Sequence, residues 1–272
     1  MNFICITCGT QFVDSASPPV RCPICEDERQ YAGLEGQKWT TLDELRRDRH
    51  NRIQQEQPDL TSIVTEPKFG IGERAFVLQT GHGNLLWDCI SLIDDATVAH
   101  IRGLGGLHAV AISHPHYYTS MVEWSRAFDN VPIYLHEADR EWVMRPDDSI
   151  TFWDGETKAL FGELMLVRAG GHFAGGTILH WPAGAGGKGA LLSGDIIQVV
   201  PDRRWVSFMY SYPNYIPLSA TGVQQIQRAV EPFAFDRIYG AFPGMTVQAD
   251  GKAALRRSVD RYVAFISGLR AV

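Results

Sequence analysis

An apolar run in the middle of the chain, residues 107–113, leads directly into two histidines, His114 and His116, with Pro115 between them. Only His108 interrupts the apolar character of this run, which predicts a buried β-strand. In an extended chain, side chains two residues apart project to the same side, and loops that follow strands often carry functional residues. The pattern therefore predicts two imidazoles directed at one point, as in a metal site.

Two later segments offer further metal ligands. The glycine-rich segment 170–176 carries His172 and precedes a strand-like segment, 177–181, while the apolar run 191–194 ends in Asp195. Three imidazoles and one carboxylate suit zinc or iron. The sequence predicts one central metal site, formed by His114, His116, His172 and Asp195.

At these residues the chain resembles the metallo-β-lactamase-fold superfamily, over roughly residues 60–268. That family carries a His-x-His-x-Asp-His motif after a strand, a later histidine in a glycine-containing turn, a Gly-Asp at a strand end and a final Gly-His. The resemblance implies an α/β (α+β) fold, a four-layer αβ/βα sandwich whose ligands meet where the loops of the two sheets converge. The first four ligand positions of the family map, in order, onto His114, His116, His172 and Asp195.

The chain departs from the family where the second metal is bound. Tyr118 and Thr119 replace the Asp-His of the motif, and residues 239–242 (Tyr-Gly-Ala-Phe) replace the final Gly-His. With Asp195 as the remaining carboxylate, a dinuclear centre would lack ligands, whereas one ion has enough. We therefore expect at most one metal ion in the central site.

Four of the five cysteines form two Cys-x2-Cys pairs separated by 13 residues. Such turns present both sulfurs to one ion, so this spacing predicts a tetrahedral zinc site that supplies folding energy to a short segment. A disulfide-bonded secreted module and a redox-active Cys-x2-Cys are the alternatives, and the missing export signal favours zinc. The predicted zinc-ribbon ligands are Cys5, Cys8, Cys22 and Cys25.

A charged segment follows the ribbon. Thr41 and Glu44 have capping-box spacing, and the segment 45–57 before Pro58 is predicted to be an exposed helix. After it we expect a β-rich meander, then alternating helices and strands, a second β-rich block, and a final helix, strand and helix. The predicted domains are a zinc ribbon at 1–35, a helical linker at 36–59 and a metallo-β-lactamase-like domain at 60–272.

Composition limits the function classes. The chain has 272 residues, 45% of them hydrophobic, and a formal net charge of −6, so it can bury a large core but is unsuited to polyanions. We expect no nucleic-acid partner. The sequence starts without a signal peptide and contains no membrane-spanning apolar stretch, so we expect no membrane association and a cytoplasmic location.

Three other features have alternative interpretations. His136 follows an apolar strand and is predicted either to cap the next helix or to support the metal site. The aromatic segment 204–215 is expected either to line an apolar substrate pocket or to fill the core. Cys89 is interpreted as a small buried hydrophobe.

The expected activity follows from one bound ion. A zinc ion lowers the pKa of a coordinated water to about 7, and the resulting nucleophile can attack an ester or a thioester. A phenol is a poor base near neutral pH, but Tyr117 or Tyr118 can donate a hydrogen bond to an oxyanion. Both tyrosines can equally fill the space of the second metal. The leading hypothesis is a mononuclear metal-dependent hydrolase of a small ester-like or thioester-like substrate.

Two alternatives remain open at this point. Family members that resemble sulfur dioxygenases or flavodiiron proteins suggest a non-haem iron oxidoreductase, with iron in the central site. The other alternative is a catalytically inactive binding module, with the zinc ribbon as a surface for a protein partner. The fold resemblance does not specify a substrate, β-lactams included.

Overall fold

A computed structural model describes residues 1–269 of the protein, which form two compact units. Unit 1 comprises Met1–Leu135 and Asp139–Trp153, and unit 2 comprises His136–Ala138 and residues 154–269. Each unit contains one large β-sheet and several helices. Among these residues, no helix is both long enough and apolar enough to cross a bilayer.

The sheet of unit 1 has seven strands in the order β3-β4-β5-β6-β7-β8-β9. Strands β4 to β6 form the predicted antiparallel meander, which β3 extends by one strand, whereas β6, β7 and β8 run parallel. A separate pair, β1 and β2, belongs to the cysteine-rich segment. The strands are β1 (Ile4–Cys5), β2 (Trp39–Thr40), β3 (His50–Gln57), β4 (Leu60–Glu66), β5 (Arg74–Thr80), β6 (Gly83–Trp87), β7 (Ala109–Ala111), β8 (Ile133–His136) and β9 (Ile150–Trp153).

The helices of unit 1 are short. Asp94 caps the third helix by accepting a hydrogen bond from the Thr97 backbone N–H, at 2.7 Å. The alternation of helices and strands that was predicted after the meander is confirmed. The helices are α1 (Pro23–Glu26), α2 (Leu42–Asp48), α3 (Asp95–Gly103) and α4 (Met121–Ala127), with 3-10 turns at Pro115–Tyr117 and Glu137–Trp142.

The predicted helix over 45–57 is wrong beyond Asp48. The capping box of Thr41 and Glu44 is present, but α2 ends at Asp48. The next residues form the strand β3, which pairs along its length with β4. Strand β3 lies at one edge of the sheet, so its side chains are largely polar, and a polar edge strand lacks the alternation that identifies a strand in a sequence.

Unit 2 contains a six-stranded sheet in the order β10-β11-β12-β13-β18-β19. Pairing is antiparallel except between β13 and β18. The strands of unit 2 are β10 (Thr157–Ala159), β11 (Met165–Arg168), β12 (Thr177–Trp181), β13 (Ala190–Leu192), β14 (Gln198–Val199), β15 (Val206–Ser207), β16 (Met209–Ser211), β17 (Ile216–Pro217), β18 (Arg237–Tyr239) and β19 (Thr246–Val247).

Three helices complete unit 2: α5 (Gly184–Gly187), α6 (Ala220–Val230) and α7 (Gly251–Ile266). The apolar faces of α6 and α7 pack on the core of this sheet, with Val223 and Ile226 from α6 and Leu255 from α7 fully buried. Ser219 caps α6 through a hydrogen bond from the Gly222 backbone N–H. The predicted final order of helix, strand and helix is confirmed.

One buried carboxyl group in unit 1 stands out. Glu73 precedes β5, is 4% exposed, and its Oε2 atom has no hydrogen-bond partner among the described residues. Burial raises the pKa of Glu73 to about 8, and the charge of Asp88 acts in the same direction. Glu73 therefore holds a proton at neutral pH in the folded protein.

We expect Glu73→Gln to be more stable than the wild type at pH 8, by about 1–4 kcal/mol. The unfolded carboxyl loses its proton near pH ~4.3. The raised folded-state pKa therefore favours folding at low pH, and this contribution is lost as the pH rises through about 8. Urea unfolding at a series of pH values measures the difference, which should shrink towards pH 5. The exposed Glu141→Gln is the control, and parallel pH curves for the wild type and Glu73→Gln would contradict the assignment.

Candidate metal centres

The end of β7 is held in place by Asp88. The Asp88 carboxylate accepts a hydrogen bond from the Ser113 backbone N–H at 2.7 Å, and the Asp88 backbone N–H donates to the Ala111 carbonyl at 2.9 Å. The Ser113 hydroxyl lies 3.0 Å from Nδ1 of His114. This contact leaves Nε2 of the His114 ring for a metal, in the usual pattern of a ligand histidine whose second nitrogen is hydrogen-bonded.

His116 reaches the same region by a different backbone path from the one predicted. His114 is extended, but Pro115–Tyr117 forms a 3-10 turn, so the two histidines do not lie on one extended strand. Proline at the first position of the turn favours this geometry. The two imidazole rings lie 5.1 Å apart, between centroids, at an angle of 71°. Both side chains are buried.

His172 lies in a turn that only glycine permits. Gly170 and Gly171 have φ values of +67° and +84°, in the left-handed region. A Cβ atom on Gly171 would also lie 2.7 Å from Cδ1 of Ile226. The turn therefore packs closely against α6 and directs the buried His172 inward.

Asp195 follows β13 through Gly194, whose φ is +53°. The Tyr212 hydroxyl donates to the Asp195 carbonyl at 2.8 Å, and the Tyr212 ring lies 5.7 Å from the His172 ring, between centroids. Tyr212 belongs to the aromatic segment 204–215, so part of that segment does lie against the predicted ligands. Burial raises the pKa of Tyr212 well above its usual value, so its phenol stays protonated.

The four predicted central ligands come together. One ligand atom from each of four buried side chains lies within 4.8 Å of the others, in the group His114, His116, His172 and Asp195. A tetrahedral zinc ion with bonds of about 2.0–2.1 Å places its ligand atoms about 3.3 Å apart. Three imidazoles and a carboxylate whose ligand atoms lie within 4.8 Å of one another are a suitable donor set for one such ion.

The two tyrosines of the motif are both buried. The Tyr117 ring packs edge-on against the His114 ring, with 4.6 Å between centroids. Burial raises the pKa of Tyr118 well above its usual value, and the charge of Asp139 acts in the same direction. The Tyr118 phenol is therefore a hydrogen-bond donor and not a base.

His136 is a cap. Its Nδ1 atom accepts the Ala138 backbone N–H at 3.1 Å, which makes Nε2 the donor to the Gly155 carbonyl at 3.1 Å. Its pKa is lowered, chiefly by burial. This geometry matches the first of the two predicted roles, capping of the turn that begins at Glu137. Cys89 is a buried thiol, as predicted.

The cysteine cluster has the dimensions of a zinc site. All five cysteines are free thiols, so the alternative of a disulfide is not realised. The sulfurs of Cys5 and Cys25 lie 3.5 Å apart and those of Cys8 and Cys22 lie 3.7 Å apart. A tetrahedral zinc ion with Zn–S bonds of about 2.3 Å places its sulfurs about 3.8 Å apart. The four buried sulfurs therefore fit one tetrahedral ion.

Side chains that the sequence analysis did not single out support this cluster. The Gln37 amide donates to the Cys5 sulfur at 3.1 Å. Hydrogen bonds from the other thiols, that of Cys22 first, lower the pKa of Cys5, which favours a thiolate there. Trp39, Trp142 and Met144 pack around the cysteines. Gln37 and Trp142 are far apart in the sequence, so local spacing could not identify them together.

Comparisons with known proteins agree with the fold. No protein-family model matches the chain. Among solved structures, the DIM-1 metallo-β-lactamase matches with a TM-score of 0.60 at 17% identity, covering 78% of this chain and 97% of that one. The metallo-β-lactamase FIM-1 from Pseudomonas aeruginosa, in its mono-zinc form, matches with a TM-score of 0.58 at 12% identity, covering 80% and 96%.

A relative with much higher sequence identity is the uncharacterized protein YmaE of Bacillus subtilis (strain 168). It is 50% identical over 263 residues, which cover 96% of this chain and 95% of YmaE. The matched region extends over nearly the whole of both proteins. This chain therefore belongs to the same family as YmaE, and its fold is that of the metallo-β-lactamases.

Proposed function

We propose that this protein is a mononuclear metal-dependent hydrolase that acts on a small ester-like or thioester-like molecule. One observation carries the proposal: on a metallo-β-lactamase fold, each of the four predicted ligand side chains has a ligand atom within 4.8 Å of those of the others. The group provides donors for one ion, and the motif positions of a second ion are taken by Tyr118 and Thr119. The mono-zinc form of FIM-1 shows that this fold accommodates a single zinc.

The proposed ligands divide between two supports. His114 and His116 follow the end of β7, where the Asp88 carboxylate holds the backbone. His172 and Asp195 lie together against Tyr212. A divalent ion bound by these groups supplies Lewis acidity and lowers the pKa of a coordinated water. The hydrogen bond between Ser113 and the His114 ring fixes the orientation of that ligand.

The phenol of Tyr117 is the proposed donor to the substrate oxygen. Tyr117 lies in the same 3-10 turn as His116 and packs on the ring of His114. A phenol beside the ligands can donate a hydrogen bond to an oxyanion as a carbonyl carbon becomes tetrahedral. Tyr118, which is buried and whose pKa is raised by that burial, is the second candidate for this role.

The Cys5, Cys8, Cys22 and Cys25 cluster is proposed to hold a structural zinc. Its four sulfurs form a closed tetrahedral set, so no position remains for a substrate. We expect this ion to contribute to folding and not to catalysis.

We expect purified full-length protein to contain two metal ions per chain, one in each cluster. The double variant His114→Ala/His172→Ala should retain about one ion, because two ligands cannot hold zinc tightly. Elemental analysis measures the content. His100→Ala, which changes an exposed histidine of α3, is the matched control and should leave two ions. Equal metal content in the double variant and the wild type would contradict the proposed centre, and iron lost only with the histidines would favour an oxidative enzyme.

Hydrolysis should depend on the central ion and on the phenol. We expect chelator-treated protein to lose activity on p-nitrophenyl esters or small thioesters and to regain it with added zinc. Tyr117→Phe should lower kcat by about 100-fold or more with unchanged metal content, if its phenol stabilises the oxyanion. The kcat of Tyr118→Phe tests the second candidate in the same way, and Tyr215→Phe, which changes an exposed tyrosine, is the control. A Tyr117→Phe variant with wild-type kcat would remove Tyr117 from the mechanism.

A further inference from the structure

The cysteine-rich segment is in direct contact with the loop that carries His116. The Gln11 backbone N–H donates a hydrogen bond to the Thr119 carbonyl at 3.0 Å. Thr119 is three residues beyond His116, and its φ of +33° is unusual for a β-branched residue. The contact therefore holds a strained part of the loop in place.

Ser91 makes a second connection between the two segments. Its hydroxyl donates to the Gly9 carbonyl at 2.8 Å, and its own carbonyl accepts the Ser120 hydroxyl at 2.8 Å. Gly9 directly follows the ligand Cys8, and Ser120 directly precedes α4. All three groups are buried, so each of these hydrogen bonds is costly to lose.

A third connection runs through Arg145, which is 7% exposed. Its guanidinium donates both to the Gln11 side chain and to the Glu123 carboxylate. Glu123 lies in the first turn of α4, which follows the histidine loop. Gln11 thus contacts the loop through its backbone, and its side chain is linked to the following helix through Arg145.

The fit at Gly9 is close. Gly9 has φ +78°, and a Cβ atom there would overlap the Ser91 hydroxyl oxygen and contact the Thr119 side chain. The Gly9 backbone N–H donates to the Cys5 carbonyl at 2.9 Å, within the first Cys-x2-Cys turn. The position of Gly9 against Ser91 and Thr119 is therefore set by the fold of that turn, and a cluster of four cysteines depends on its metal for such a fold.

From these contacts we infer that the Cys5, Cys8, Cys22 and Cys25 module is a positioning element for the His114–His116 loop. Loading of the cysteine cluster then controls the metal affinity of the central site. The inference rests on the proposed central metal centre for its functional consequence. The positioning itself can be measured without that centre.

The test uses the full chain with Gly9→Ala, which disturbs the contact and leaves every ligand in place. Hydrogen–deuterium exchange of a peptide covering residues 114–120 should be faster in Gly9→Ala than in the wild type. Titration with Co²⁺ should give unchanged thiolate charge-transfer bands but an affinity of the histidine site weaker by about 10- to 100-fold, as for loss of support around a ligand.

Two further variants control the experiment. Gly36→Ala introduces a side chain at a similar φ of +82° in the same segment, but with no atom within 4 Å, so exchange at 114–120 should match the wild type. Ser91→Ala removes the buried hydrogen bond to the Gly9 carbonyl without adding a side chain to the turn, and its exchange at 114–120 should also be faster than in the wild type.

The outcomes separate the two proposals. The added Cβ atom of Gly9→Ala overlaps the Ser91 hydroxyl oxygen, so unchanged exchange at 114–120 in this variant would overturn the inference. Faster exchange in both Gly9→Ala and Ser91→Ala, with Gly36→Ala at the wild-type rate, would support it. If Co²⁺ does not bind the histidine site of the wild type, the proposed function fails, while the exchange data still decide the positioning role.

Discussion

The hydrogen bond between the Asp88 carboxylate and the Ser113 backbone N–H fixes where β7 ends, and the arrangement of the first two ligands depends on it. Ser113 in turn contacts the His114 ring, and the chain then enters the 3-10 turn that carries His116. Asp88 itself has φ +57°, a conformation that few residues other than glycine, asparagine and aspartate adopt easily. A backbone hydrogen bond to a buried carboxylate offsets part of the free-energy cost of burying the charge, and it orients the ligands that follow in the chain.

Buried hydrogen bonds also connect the histidine loop to the cysteine module. A segment of about 35 residues cannot bury enough apolar surface to fold alone, and a metal supplies the missing free energy. Here the module also contacts the end of the histidine loop through Gln11 and Ser91. Two candidate metal-binding segments in one unit are therefore connected by buried hydrogen bonds, so that order in one favours order in the other.

The sequence predicted which potential ligands come together better than it predicted their surroundings. The ligands could be identified because each follows an apolar run or a glycine-rich turn, which are local signals. The strand His50–Gln57 could not, because an edge strand with polar side chains resembles an exposed helix in composition. The 3-10 turn at Pro115–Tyr117 and the hydrogen bond between Ser91 and Gly9 depend on tertiary packing, since the latter joins residues 82 positions apart.

The departures from the family motif explain why one metal is proposed. Tyr117 and Tyr118 are both buried, and Tyr117 packs on the ring of the ligand His114. Tyr118 and Thr119 stand where the motif has an aspartate and a histidine, so the carboxylate and the imidazole that the motif provides for a second metal are absent.

The mononuclear centre is tested most directly by a crystal structure with anomalous diffraction data collected on both sides of the zinc and iron absorption edges. We expect one zinc peak among the four cysteine sulfurs and one metal peak among His114, His116, His172 and Asp195. The absence of a peak at the histidines in protein supplied with zinc, or two peaks there, would contradict a mononuclear centre.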